Sequence, residues 1–208
     1  MIPLEVCAVF FAASVVLGLA PGPDNIFVLT QSALYGRLAG LVVTLGLCTG
    51  LLVHTTAVAI GVAAVFQTSA LAFTLLKLAG GAYLLYLAWQ AFRAGTSDLS
   101  NGDTGQTKLR HLYGRGIIMN VTNPKVAVFF LAFLPQFADP LRGSVAVQVV
   151  LFGGIFILAT ILVFASVAWG AGFLGEWLKR SSKAQTIMNR VAGTVFIGLA
   201  LKLAAAER

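Results

Sequence analysis

Charged side chains are scarce in this sequence. Only 10% of the 208 residues are Asp, Glu, Lys or Arg, and 59% are hydrophobic, whereas about 25% of the residues of a typical soluble domain are charged. A soluble protein with so few charges would lack the polar surface that water requires. The composition therefore excludes a soluble enzyme, a disordered chain and a nucleic-acid-binding protein, and it predicts a chain that is solvated by lipid.

Cysteine is almost absent. Cys7 and Cys48 lie in apolar runs without a Cys-x-x-Cys motif, so we expect them to pack as small apolar side chains. The sequence also lacks an HExxH motif, a GxSxG motif, paired carboxylates, a Walker motif and a His/Cys cluster. These absences argue against an intramembrane enzyme, and they give no sign of a nucleotide or metal cofactor.

Long apolar runs are abundant. A bilayer core of about 30 Å needs about 20 apolar residues as a helix, and six runs meet this requirement. Their length and lack of alternation exclude the strands of an outer-membrane barrel. We expect an all-α integral membrane protein, with 1–208 as a single transmembrane domain of six spans: Leu4–Leu34, Gly40–Phe66, Leu71–Phe92, Gly116–Phe137, Val145–Phe173 and Ile187–Ala205.

A polar stretch divides the six spans into two groups of three. Residues Gly95–Gly105 are rich in Gly, Ser and Asp and are typical of a flexible loop. The predicted organisation is a first repeat over 1–92, a loop over 93–115 and a second repeat over 116–208. Because three spans are an odd number, the second repeat enters the membrane in the opposite sense, as in inverted-repeat transporters.

The positive charges indicate the orientation. The chain has 14 Lys and Arg against 7 Asp and Glu, and cytoplasmic loops carry such an excess. The first, third and fifth connections hold most of them, whereas the other side holds at most Arg142, Lys202 and Arg208. We therefore expect these three connections in the cytoplasm of a bacterial cell, and both termini on the periplasmic side of its inner membrane.

Two of the spans are interrupted by proline. The first contains Pro21, Gly22 and Pro23, and the fourth contains Asn123 followed by Pro124. Proline breaks a helix, because it removes a backbone donor and clashes with the preceding turn. Each break begins a new half-helix, with Pro23 or Pro124 in the first turn and Asn123 as an N-cap. Paired breaks of this kind indicate the binding site of a transporter.

A charged residue follows each break. When the prolines are aligned, Asp24 falls opposite Lys125, and both lie about 14–16 Å from the cytoplasmic end at about 1.5 Å per residue. A charge near the midplane is a functional hypothesis by default, although a buried Asp24–Lys125 ion pair with a purely structural role is the alternative. We expect the arm before the second break to be shorter than the arm before the first.

Four further polar residues are candidates. Asn25 and Asn120 lie beside the breaks and could bind substrate together with Asn123. His54 lies in the middle of the second span, where it either relays protons or makes a hydrogen bond to a neighbouring helix. Lys77 is explained by snorkelling to the outer interface.

Glycines recur at G-x-x-x-G spacing in the second span. Gly36, Gly40, Gly46 and Gly50 would let helices approach closely. Packing within the chain is the favoured interpretation, and a homodimer face is the alternative.

These motifs resemble the lysine exporter (LysE) family, including its homoserine/threonine resistance (RhtB) branch. The matching stretches cover most of the chain: PGPDNIFV at Pro21–Val28, GRLAGLVVTLGLCTG at Gly36–Gly50, GGAYLLYL at Gly80–Leu87 and NVTNPKVAVFFLAFLPQF at Asn120–Phe137. The resemblance implies a bacterial inner-membrane exporter of amino acids, driven by the proton motive force, with no nucleotide or metal cofactor.

The charges near the breaks suggest a zwitterionic substrate. Asp24 would bind its ammonium group, Lys125 and the half-helix N-termini would bind its carboxylate, and Asp24 or His54 would carry the coupling proton. A dibasic substrate would need a further acid, so we expect a neutral or homoserine-like amino acid. An exporter of lysine or arginine, and an intramembrane protein without transport activity, are the alternatives.

Overall fold

The structure is a computed structural model. It describes residues 2–20, 22–68, 70–93, 108–180 and 182–205. Pro21 and the predicted loop Gly95–Gly105 lie outside the described residues, as does the side chain of Lys77. Over the described ranges the chain forms helices and no strand.

The described residues form eight α-helices. The first half contains α1 (Leu4–Leu19), α2 (Pro23–Tyr35), α3 (Arg37–Thr68) and α4 (Ala70–Arg93). The second half contains α5 (Leu109–Val121), α6 (Pro124–Val128), α7 (Val145–Arg180) and α8 (Ser182–Ala205). A π-helical turn at Phe129–Phe133 and a 3₁₀ turn at Leu134–Phe137 extend α6, and a further 3₁₀ turn lies at Pro140–Arg142.

Two to four membrane spans are supported by length and composition in the described residues. Arg37–Gly61 and Val145–Ala171 each form an unbroken apolar helix long enough to cross a bilayer. The pair α1 and α2 is bent by 63°, and the pair formed by α5 and Pro124–Phe137 is bent by 49°. Each bent pair qualifies as one broken span. Helices α4 and α8 have 24 residues each, and six spans remain a prediction.

The arm before the second break is shorter than the arm before the first, as expected. Helix α5 has 13 residues and α1 has 16. Helix α5 nevertheless begins at Leu109, seven residues before the predicted span. Its first turns carry Arg110, His111 and Arg115, so they lie outside the apolar run. An apolar run marks only the part of a helix that lipid surrounds, whereas the hydrogen-bonded helix continues beyond it.

The two halves have the same order of elements. Each contains a bent pair, then a helix of 32 or 36 residues, then a helix of 24 residues. They also pack reciprocally: α1 and α2 lie against α7, while α5 lies against α3. The corresponding helices α3 and α7 contact each other, and so do α4 and α8. Helix α2 also lies against α3, and the inverted repeat stays a prediction.

Glycines bring α3 and α5 into backbone contact. A Cβ atom at Gly116 would lie 2.6 Å from the carbonyl oxygen of Val43, and one at Gly46 would overlap the carbonyl of Tyr113. A Cβ atom at Gly50 would lie 2.7 Å from the side chain of Asn120. Gly46 and Gly50 therefore pack within the chain, as favoured from the sequence, and the homodimer stays a prediction.

Buried apolar residues form two separate cores. The first core joins α1, α4, the segment after the second break, α7 and α8, with Phe10, Leu84, Phe129, Phe133, Phe152 and Phe196 among its members. The second core joins α2, α3, α5 and α7 through Val28, Val43, Leu47, Leu112 and Phe164. The two helix breaks lie between these cores, and they carry the polar residues described next.

Candidate functional site

The first break is built from residues that cannot continue a helix. Helix α1 ends at Leu19, and Gly22 is the N-cap of α2 in an extended conformation. Pro23 occupies the first turn of α2, as predicted. The side chain of Asn25 reaches back across the break and donates a 2.7 Å hydrogen bond to the carbonyl oxygen of Gly18. Asn25 therefore satisfies one of the carbonyl groups that α1 leaves open at its end.

The second break has the predicted cap. Helix α5 ends at Val121, and Asn123 is the N-cap of α6. Its Oδ1 atom accepts a 3.0 Å hydrogen bond from the backbone N–H of Lys125, and Pro124 follows it in the first turn. Both features are confirmed. Capping uses only the oxygen of the Asn123 amide, so its NH₂ group is available for another partner.

Lys125 binds the end of α1. Its Nζ atom donates hydrogen bonds of 3.2 Å to the carbonyl oxygen of Leu17 and 3.0 Å to that of Ala20. The side chain is 7% exposed, so the last carbonyls of α1 and its negative dipole end replace water around the ammonium group. The Lys125 side chain, which follows the second break, is thus hydrogen-bonded to the helix end at the first break.

Asp24 has a different partner. Its Oδ2 atom accepts a 2.9 Å hydrogen bond from the amide NH₂ of Asn123, while its Oδ1 atom is buried without a partner. Neither oxygen lies within 4.0 Å of Lys125 Nζ, so the direct Asp24–Lys125 ion pair expected from the aligned prolines is wrong. The two charges interact at longer range, with Asn123 bonded to one of them.

His54 and Asn120 form a third part of the site. His54 Nε2 lies 3.1 Å from the backbone oxygen of Asn120, and its ring centroid lies 5.6 Å from that of Phe130. The side-chain oxygen of Asn120 is buried without a partner, as are oxygens of Asn25 and Gln31. The break region therefore holds several buried acceptors that lack a donor.

A cavity of about 250 Å³ lies on one side of the two breaks. This is slightly below the range of about 300–1,000 Å³ that ligand pockets usually have, and it suits a small molecule. Its walls come from the two breaks, from α4 and from α8, and its lining residues are Gly22, Pro23, Tyr83, Leu87, Gln90, Ala91, Asn123, Pro124, Lys125, Asn189 and Phe196.

The cavity separates the predicted site residues into two groups. Asn123 and Lys125 line it together with the helix-break residues, whereas Asp24, Asn25, Asn120 and His54 do not. Sequence reasoning missed the walls from α4 and α8. Gln90 and Asn189 are polar residues of these helices, but Lys183 and Arg190 of α8 are polar as well, so no specific signal marked the two walls.

The whole chain resembles known membrane proteins. A family model described as LysE type translocator matches residues 15–207. The chain belongs to this family. The recognition made from the motifs at the two breaks is thereby confirmed, and the match covers all the residues of the translocator's candidate site.

Two similar proteins span nearly the full length of this translocator. A homoserine/homoserine lactone efflux protein of Salmonella typhimurium is 35% identical, and the alignment covers 95% of both chains. An uncharacterised membrane protein of Vibrio cholerae is 33% identical over 98% of both chains. No solved structure matches the translocator. Among its described residues, no cluster of three or more His, Cys, Asp or Glu side chains could hold a metal ion.

Proposed function

We propose that this translocator exports a small zwitterionic amino acid across the bacterial inner membrane in exchange for protons. The substrate is a neutral or homoserine-like compound. The family membership supports export of an amino-acid-type molecule, and the homoserine/homoserine lactone efflux protein at 35% identity supports the substrate class. We propose no enzymatic reaction for this translocator.

The observation that carries the proposal is the cavity beside Lys125. Lys125 and the first turn of α2 line this cavity, and an ammonium group and a helix N-terminus both attract a carboxylate. The lining contains no Asp or Glu among the described residues. A zwitterion adds no net charge to such a cavity, whereas a basic side chain would add a positive charge without a counter-charge. A short hydroxyl side chain would meet the oxygens of Tyr83 and Gln90.

Lys125 acts as the substrate-sensitive link between the breaks. Two of its three N–H groups bond to Leu17 and Ala20, and a substrate carboxylate competes with these carbonyls for the same ammonium group. Binding then weakens the attachment of α1 to α6. Arginine would replace lysine poorly, because its planar guanidinium is larger and has different donor geometry.

Asp24 binds the coupling proton. One carboxylate oxygen is bonded to Asn123 and the other has no partner, so a proton would supply the missing donor. Substrate at Lys125 and a proton at Asp24 act on opposite sides of Asn123. Because Asn123 contacts both, occupation of one site changes the other, which is the requirement for exchange.

The proposed topology has six spans, with both termini in the periplasm. Support comes from the positive charges of the first, third and fifth connections and from the reciprocal packing of the two halves. The two bent pairs, α3, α4, α7 and α8 are the six spans, and the halves are inverted repeats.

Flux into proteoliposomes tests the proposal. Purified protein is reconstituted with an imposed pH gradient, and uptake of labelled homoserine is compared with uptake of labelled lysine and leucine. We expect homoserine uptake that requires the gradient and that Lys125→Ala reduces at least tenfold, while the surface control Arg142→Ala leaves it unchanged. Preferential uptake of lysine would support the basic-substrate alternative, and no uptake of any amino acid would contradict the proposal.

A further inference from the structure

His54 is bonded to a backbone oxygen, which restricts its chemistry. The oxygen of Asn120 can only accept a hydrogen bond, so Nε2 of His54 must carry the hydrogen. That is true of the neutral ring protonated at Nε2 and also of the imidazolium. The bond therefore survives either protonation state, and it does not require His54 to exchange its proton.

The bonded oxygen belongs to the last turn of α5, where the second break begins. The same oxygen accepts a 3.0 Å hydrogen bond from the backbone N–H of Asn123, and Phe130, beyond the break, packs against the His54 ring. His54 thus contacts the chain on both sides of the break from a third helix, α3. Its contacts fix the direction in which the chain leaves α5, and hence the position of Asn123.

Asp24 has the opposite properties. Its Oδ1 atom is a buried acceptor, 3% of the residue is exposed, and no donor among the described residues bonds to this atom. A buried acceptor without a donor is costly. A bound proton removes that cost, so the unmet requirement for a proton lies at Asp24.

We propose that His54 is a positioning residue that holds the second break in place, and that the exchanged proton binds at Asp24. This inference rests on the proposed function for its transport consequences. It favours Asp24 over His54 as the proton carrier that the sequence left open, because Nε2 of His54 donates its bond in either protonation state, whereas the described residues supply no donor to Asp24 Oδ1.

Few charged groups surround His54. Asp24 of α2 is near enough to interact electrostatically with it, and Lys125 of α6 interacts with Asp24. On α5 the nearest titratable side chain along the packed face is Tyr113, whose hydroxyl is bonded to Thr49. The span Val145–Ala171 of α7 and the turn Phe129–Phe133 contain no titratable residue. Asp24, Lys125 and Tyr113 are therefore the titratable groups whose response has to be distinguished from that of His54.

Two variants of His54 separate positioning from proton transfer. His54→Gln keeps an N–H donor and cannot carry a proton, whereas His54→Leu removes the donor at similar size. We expect His54→Gln to retain at least half of the gradient-driven homoserine flux with an unchanged pH midpoint. His54→Leu should lose at least tenfold, and Asp24→Asn should abolish the gradient-driven flux. Loss of gradient-driven flux in His54→Gln, with substrate counterflow intact, would overturn the inference.

An infrared titration tests the inference without transport. Protein in lipid bilayers is titrated between pH 5 and 9, and the carboxylic acid band of Asp24 is identified as the band that Asp24→Asn lacks. We expect His54→Gln to keep this band with its midpoint within half a pH unit. The inference would be contradicted if the pH-dependent infrared change persisted in Asp24→Asn and disappeared in His54→Gln. If the wild type shows no flux, the proposed function fails, while the infrared comparison still identifies the proton-binding residue.

Discussion

The side-chain amide of Asn123 donates a 2.9 Å hydrogen bond to Asp24, and this bond joins two helix breaks that are 99 residues apart in sequence. The same amide caps α6 through its oxygen. Asn123 also lines the cavity, whereas Asp24 does not. A single side chain is therefore in contact with the proposed substrate site on one side and with the proposed proton site on the other.

The first prediction tests this bond. Asn123→Asp keeps the N-cap, because Asp and Asn cap helices equally well, but it removes the donor to Asp24 and places two carboxylates together. We expect a loss of about 1–3 kcal/mol in stability, measured as thermal unfolding in detergent. The double variant Asp24→Asn with Asn123→Asp reverses donor and acceptor and should regain most of the stability. Independent, additive effects of the two substitutions would show that the bond contributes nothing.

The second prediction concerns the space around Lys125. A Cβ atom at Gly22 would lie 3.1 Å from Lys125 Nζ, so in Gly22→Ala the ammonium group must shift by a few tenths of an ångström. The φ angle of Gly22 is −175°, an extended value that alanine adopts without strain, so the effect is steric. We expect a KM for homoserine that rises about tenfold. Gly81→Ala is the matched control, because nothing lies within 4 Å of its new methyl group, and it should transport normally.

The third prediction concerns the crossing of α3 and α5. Gly116→Ala places a methyl group 2.6 Å from the carbonyl oxygen of Val43, and overpacking of this kind costs about 1–3 kcal/mol. Gly114→Ala lies on the same helix with open space around it and should be neutral or slightly stabilising, since alanine favours helices. Thermal unfolding of the two variants in one detergent measures the difference. Equal melting temperatures would contradict the close helix contact.

The fourth prediction concerns topology. In a background of Cys7→Ala and Cys48→Ala, a cysteine at Leu141 should react with a membrane-impermeant maleimide in intact cells, because Leu141 is 96% exposed and the proposed loop is periplasmic. A cysteine at Lys108, which is also exposed, should react only after the cells are permeabilised. The reverse pattern would place both termini in the cytoplasm.

The fifth prediction concerns pH and the turn Pro140–Arg142. Hydrogen bonds from the Arg142 guanidinium and from the Leu141 N–H hold the pKa of Asp139 below its ordinary value of 3.8. The folded pKa is lower than the unfolded one, so the bonds stabilise the turn fully above pH 3.8, and this stabilisation is lost as the pH falls through the folded pKa. A lower protection factor for the Leu141 amide at low pH, obtained from its exchange rate relative to the rate of an unprotected amide at the same pH, measures the loss. Asp139→Asn should remove the pH dependence.

The breaks were predictable from sequence because their causes are local. Pro23 fixes where α2 begins, and Asn123 with Pro124 fixes where α6 begins, whatever the rest of the chain does. The buried charges Asp24 and Lys125 were predictable for a similar reason, since each follows a break directly in an apolar run. The helix starts and the buried charges depend on residues that are adjacent in sequence. In the structure, α2 begins at Pro23 and α6 begins at Pro124.

The partners of the charges were not predictable. Alignment of the prolines placed Asp24 against Lys125, but Lys125 reaches the carbonyls of Leu17 and Ala20, more than 100 residues away. The sequence cannot identify these carbonyl groups, because every residue has one. Which of them lack a hydrogen bond at a helix end, and which of those a distant side chain can reach, depends on packing. The wall of the cavity from α4 and α8 is likewise a result of long-range packing.

The separation of the two hydrophobic cores determines how much free energy a movement of the helices at the breaks would cost. Helices α3 and α7 pass through the region without a break, while the arms on either side of 20–23 and 122–124 are anchored in different cores. A swing of one arm against the other would leave both cores packed, and it would interrupt the bond of Asn25 to Gly18 and the bond of Asn123 to Asp24. Each such bond is worth about 0.5–3 kcal/mol net. If the proposed function holds, a few hydrogen bonds would then separate the inward-open and outward-open forms, and binding of one substrate and one proton would be sufficient to replace them.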